Sequence, residues 1–200
     1  MVTIKSAAEL DDIRERLAEI FVVNNEDKFS SLHKPKAKET KIQQTQEALI
    51  SAFSHMFELD CFYVALFDDQ PIGMLGISSN QKRAMNLQLQ ELKKFLKGKS
   101  KACYEKFKHI SFPIAHYPDD TAFLESIEIL DRFKGQDAEE ELINNAVSLT
   151  PFKVYIAEVF DFQEKLIQIY KKCGFLEIER HLIKDNQKSY YSILLRKIKR

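Results

Sequence analysis

Apolar and polar positions alternate along this chain with two periods, and the switches between them predict the order of elements. Residues 2–5 read as a short opening strand. Ser6-Ala-Ala-Glu9 has capping-box spacing, and Leu10, Ile13, Leu17, Ile20 and Phe21 behind it share one helical face. Residues 24–41 carry no period and read as a loop. A second helix follows over 42–57, with Leu49, Ile50, Phe53 and Phe57 on one side. Residues 61–67 (CFYVALF) and 72–78 (IGMLGIS) are strands joined by the turn residues Asp68-Asp69-Gln70-Pro71. Gly73 and Gly76 within the second strand predict a bulge or a close backbone approach.

The helical period returns over 80–109, where Met85, Leu89, Leu92, Phe95 and Leu96 form a stripe broken by Gly98. Pro113 and Pro118 punctuate an irregular stretch. Residues 121–130 (TAFLESIEIL) alternate as a strand. That alternation puts Phe123, Glu125, Ile127 and Ile129 on one face and Leu124, Ser126, Glu128 and Leu130 on the other. A helix over 136–148, a strand over 153–160, and a helix over 163–173 ended by Gly174 come next. Two strands close the chain, 175–183 and 190–198, turning at Asp185-Asn186. With no repeat and no linker, residues 1–200 read as one α/β domain.

Composition narrows the class. The chain has 200 residues, 44 % of them hydrophobic, with 30 basic and 30 acidic side chains, unlike a disordered segment. No apolar run reaches the roughly 20 residues of a membrane span, and no secretory signal is visible. Cys61, Cys103 and Cys173 are too few and too scattered for a disulfide framework. A reduced, cytoplasmic protein is the expectation, with no membrane partner. The neutral total conceals blocks. Residues 82–108 hold nine basic and two acidic groups, and residues 109–141 hold two and nine. Only Phe95, Tyr104 and Phe107 are aromatic among the lysines of the basic block, so a solvated helix face is expected rather than a nucleic-acid site. The five histidines lack metal-ligand spacing, so no metal is expected. No Gly-x-Ser-x-Gly elbow is present either.

The richest junction is Arg132-Phe133-Lys134-Gly135-Gln136-Asp137, between the 121–130 strand and the next helix. A strand entering a helix N-terminus offers unpaired amides and a positive dipole end to a phosphate. Asp137-Ala-Glu-Glu140 is also a capping box, in which the carboxylate would occupy those same donors. Arg132 and Gly135 match the Arg/Gln-x-x-Gly-x-Gly/Ala pyrophosphate signature of the GCN5-related N-acetyltransferase (GNAT) family, with Asp137 in place of its last small residue. Tyr170-Lys-Lys-Cys-Gly174-Phe175 matches the family's Tyr-x-x-x-Gly-Phe pattern, and Gln163 stands where that family often has Asn. The hairpin at 61–78 resembles its second and third strands. In order and spacing the chain resembles this family apart from residues 79–119, which separate its third and fourth strands.

That resemblance implies an α/β fold: a mixed, mostly antiparallel sheet flanked by helices, with a helical insertion at 79–119. It implies acetyl-coenzyme A (acetyl-CoA) as cosubstrate, an amine acceptor, and direct attack of a primary amine on the thioester. A homodimer is admitted. Residues 129–137 (Ile129, Leu130, Arg132, Phe133, Lys134, Gly135, Gln136, Asp137) and Gln163 would hold the coenzyme. Tyr170 would be the general acid, and Glu125 or Glu128 the base. Lys93, Lys94 and Lys97 of the basic block could add charge toward the coenzyme phosphates. The alternative is a weak or inactive relative that binds an acyl-CoA or a protein partner, and Asp137 favours it.

Overall fold

Seven strands form one sheet: β1 (Val2–Ser6), β2 (Phe62–Phe67), β3 (Gln70–Ser79), β4 (Thr121–Ile129), β5 (Val154–Phe160), β6 (Leu176–Lys184) and β7 (Ser189–Ile198). Their order is β1-β2-β3-β4-β5-β7-β6, and only β4 and β5 run parallel. This computed structural model describes residues 2–30, 32, 39–108, 117–135, 137–184 and 189–199. The expected turn at Asp185-Asn186, Pro113 and Gln136 lie outside the described residues.

Alternation in β2 and β3 sends side chains to two cores. Phe62, Val64, Leu66 and Met74 meet α1 (Ile13–Asn24) and α3 (Glu39–Met56) on one face. Ala65, Ile72, Leu75 and Ile77 meet α6 (Ala138–Leu149) and α7 (Glu164–Lys172) on the other. The β2–β3 hairpin closes in two residues, because Asp68 and Asp69 both take positive φ (48° and 59°). Such a turn matches the twist of paired strands.

Several boundaries depart from the periodic reading. Ser6 heads a 3-10 turn, Ala7–Glu9, its hydroxyl accepting from the Ala8 amide, and α1 begins only at Ile13. The aperiodic 24–41 stretch holds a short helix, α2 (Glu26–Ser30), and α3 starts at Glu39. Residues 80–88 are not helical. Met85 bridges to Phe57 there, and the Ser79 hydroxyl accepts from the Gln81 and Lys82 amides. The helices that follow are α4 (Leu89–Leu96) and α5 (Ser100–Phe107). They bury Leu92, Leu96, Cys103 and Phe107 in the α1–α3 core, so this basic segment is part of the fold.

Aromatic packing fixes the corner where α5 meets α2. Phe29 and Phe107 stack with centroids 4.8 Å apart, on a base of Phe21 and Phe53. Their neighbours Lys28 and Lys106 are thereby brought together, and the Lys106 ammonium donates to the Lys28 carbonyl (2.8 Å).

Candidate active site

The parallel ladder between β4 and β5 ends early. It runs from Thr121↔Val154 to Leu124↔Ala157; beyond it β4 pairs only with β3, and β5 only with β7. A bulge accompanies the parting. Met74 faces Glu128 and Gly76 faces Glu125, so β4 spends one residue more than β3, and Ser126 absorbs it at φ 52°. Bulges re-aim side chains and interrupt pairing in this way. Gly73 lets the strands stay close, since a Cβ there would lie 2.1 Å from Ile129 Cδ1 and 2.7 Å from the Glu128 carbonyl oxygen. The close approach expected at Gly73 and Gly76 is what the structure shows.

The bulge overturns the strict alternation expected for β4. Glu125 and Glu128 were expected on opposite faces; both line one cavity of about 790 Å³ that passes through the gap between β4 and β5. Phe21, Asn25, Lys28 and Lys106 line it from the α1 side, and Gln163, Leu166 and Tyr170 from the α7 side. Phe123, Ile156, Phe160 and Tyr190 supply apolar walls.

The two carboxylates have different surroundings. Glu125 accepts from the Ser78 hydroxyl (2.6 Å) and pairs with Arg83 (3.3 Å); burial, the larger effect, raises its pKa. Glu128 accepts from the Asn25 side-chain amide (2.7 Å). Burial pushes the Glu128 carboxyl up to about 7, against the downward pull of Asn25, Lys28 and Lys134. A carboxyl poised there suits general base work at neutral pH. Asn25 itself is 4 % exposed, and its carbonyl oxygen accepts from the Lys28 ammonium (2.6 Å). Asn25 and Lys28 are site residues that the aperiodic stretch gave no means of finding.

The backbone at the end of β4 divides the two amides expected to act together. The Leu130 amide donates to the Ile72 carbonyl (2.8 Å) and is spent on the sheet. That bond makes Gly73/Ile129 a non-hydrogen-bonded pair, so the Ile129 amide points away from β3, toward the gap. Ile129 retains its expected donor; Leu130 does not.

The turn after β4 corrects a second expectation. Gly135 takes φ 77°, and nothing lies within 4 Å of where a Cβ would be. Asp137 does not cap α6: it sits at φ 59° and its side chain makes no cap hydrogen bond. Among the described residues no side chain caps the first amides of α6, and Glu139, Glu140 and Glu141 lie in the same turn. Arg132 lies over the Phe133 ring (4.9 Å), and Lys134 pairs with Asp131 (2.6 Å). None of Arg132, Phe133, Lys134, Gly135 or Asp137 lines the cavity, nor do Lys93, Lys94 or Lys97.

Tyr170 is 2 % exposed, packs edge-on to Phe175 (5.0 Å), and reaches the cavity wall. Burial raises its phenol far above the ordinary range, so it holds its proton. Among the described residues its hydroxyl has no hydrogen-bond partner. Gln163 precedes α7, and its side chain accepts from the Phe160 amide (2.9 Å), holding the end of β5 to the helix. Cys61, Cys103 and Cys173 are buried free thiols, and Cys173 is pushed up to about 11 by burial. Among the described residues no group of three or more His, Cys, Asp or Glu could hold a metal ion. No helix among them is long and apolar enough to cross a membrane.

Solved structures share the overall fold of this seven-stranded sheet and its flanking helices. An N-acetyltransferase from Staphylococcus aureus matches over 96 % of this chain and 99 % of its own, with a TM-score of 0.59 at 16 % identity. The chain has the GNAT fold. A GNAT-family acetyltransferase from Bacillus cereus matches over 100 % and 98 % (TM-score 0.54, 10 % identity). One from Streptococcus pneumoniae matches over 99 % of both chains (TM-score 0.53, 11 % identity). At these identities the likeness is one of fold. No protein-family model matches the sequence, and no curated protein matches it. Between the third and fourth strands the described residues place α4 and α5.

Proposed function

We propose that this protein transfers an acetyl group from acetyl-CoA to a primary amine by direct attack. The observation that carries this reading is Glu128, a buried carboxyl with a pKa of about 7, aimed into the gap where β4 leaves β5. The residues around the gap fit the coenzyme. Ile129 offers its amide to the acyl oxygen as that oxygen gains charge. Gly135 and the uncapped start of α6 leave room and donors for the phosphates, with Arg132 and Lys134 as nearby cations. Bound there, acetyl-CoA supplies an activated acyl group with a thiol leaving group.

Glu128 takes the proton that makes the amine nucleophilic. Tyr170, kept protonated by burial, is the general acid for the sulfur. Glu125, tied to Ser78 and Arg83, holds the bulge beside the base. The reading of a weak or inactive acyl-CoA binder rested on Asp137 as a cap and on its charge; the side chain makes no cap bond, while its carboxylate and those of Glu139, Glu140 and Glu141 stand at the start of α6. The test is release of free thiol from acetyl-CoA in the presence of a panel of primary amines. Amine-dependent release that Glu128→Gln abolishes supports the proposal; no release with any amine overturns it.

A further inference from the structure

The amine half of the cavity is furnished for more than an amine. The Lys28 ammonium and the Glu128 carboxyl are held one amide group apart, because Asn25 accepts from the first and donates to the second. The carboxylate oxygen and amine nitrogen of an α-amino acid lie close together, as do the oxygen and nitrogen of that amide, so one such molecule can accept from Lys28 and donate to Glu128 in the same way. Lys106 joins Lys28 through the Phe29–Phe107 stack, and neither lysine has a carboxylate within ion-pair distance among the described residues. Among the described residues each ammonium makes one hydrogen bond of a possible three. At the other end of the cavity Phe160 and Tyr190 meet edge to face (5.4 Å), and Phe162 stacks on Phe160 (5.4 Å) while 67 % exposed. An aromatic shelf open to solvent beside a binding cavity is expected to receive an apolar group.

We infer that the acceptor is a free α-amino acid with an aromatic side chain: its amine at Glu128, its carboxylate at Lys28 and Lys106, its ring on Phe160 and Tyr190. This rests on the acetyl-transfer reading above. The step balances without another reactant. A C–N bond forms at the α-nitrogen, the thioester C–S bond breaks, and one N–H proton is exchanged for an S–H proton. Polyamines and aminoglycosides are disfavoured, since their extra cations would meet these lysines.

The experiment measures kcat/KM for phenylalanine, phenethylamine, alanine and spermidine, with thermal shifts by acetyl-CoA alone in parallel. Phenylalanine should exceed phenethylamine by about tenfold or more, because the amine alone leaves the lysines unpaired, and alanine by about tenfold or more, because alanine leaves the aromatic shelf empty. Lys106→Gln should cut the phenylalanine-to-phenethylamine ratio about tenfold, and Tyr190→Ala the phenylalanine-to-alanine ratio. Equal rates across the panel, or spermidine as the best acceptor, overturn the amino-acid assignment while acetyl transfer stands. Absence of any acetyl-CoA shift overturns the transfer reading itself.

Discussion

The Asn25 side-chain amide donates to Glu128 at 2.7 Å, joining the loop after α1 to the bulged strand β4 across a sequence separation of 103 residues. This bond favours the charged carboxylate and so draws the Glu128 pKa down toward 7 against burial. Activity that needs ionised Glu128 should rise with pH through about 7. Asn25→Leu removes the donor and should move that rise in kcat/KM to higher pH. Glu128→Gln should remove the rise and lower kcat by about 10²- to 10⁴-fold. A pH–rate profile unchanged in both variants would dismiss Glu128 as the base.

The same carboxyl should make stability depend on pH. The native state keeps the Glu128 proton up to about pH 7, whereas the unfolded chain releases it near 4.5. Between those values the unfolded state binds fewer protons, so this contribution to stability is lost as pH rises. The effect is on the order of 3 kcal/mol when complete. Glu128→Gln should therefore raise the melting temperature relative to the parent at pH 8, with the difference vanishing below pH 4.5. The opposite trend would show that the carboxylate is stabilised by its partners more than burial opposes it.

Tyr170 separates chemistry from binding. Tyr170→Phe keeps the ring against Phe175 and removes only the hydroxyl. Turnover should fall much more than acetyl-CoA affinity. Equal loss in both would make the residue structural.

Gly73 ties the bulge to the gap. A methyl group there would collide with Ile129 and with the Glu128 carbonyl. Gly73→Ala should cost about 2–3 kcal/mol in denaturant unfolding. A neutral result would mean that β3 and β4 can separate freely, and that Ile129 is not held toward the gap by this contact.

Much of this was legible in the chain, and what was not has a physical reason. Runs such as CFYVALF and VYIAEVF declare strands because β-branched and aromatic residues fit a pleated sheet. Tyr170 with Gly174 placed α7 correctly. The facing of Glu125 and Glu128 could not be read, because it turns on Ser126 taking a left-handed conformation that serine does not advertise. The Asp137 capping box has the right spacing, yet a left-handed Asp137 aims its side chain elsewhere. Asn25 and Lys28 lie in a stretch without period, and only tertiary contact with β4 and α5 gives them a role.

The central claim is that the parting of β4 and β5 is a coenzyme site, and a thermal-shift titration with acetyl-CoA tests it most directly. A ligand that binds only the native state must stabilise it. The predicted result is a saturating rise in melting temperature, smaller in a variant whose Gly135 is replaced by aspartate beside the phosphate turn. No rise at millimolar acetyl-CoA would contradict the account.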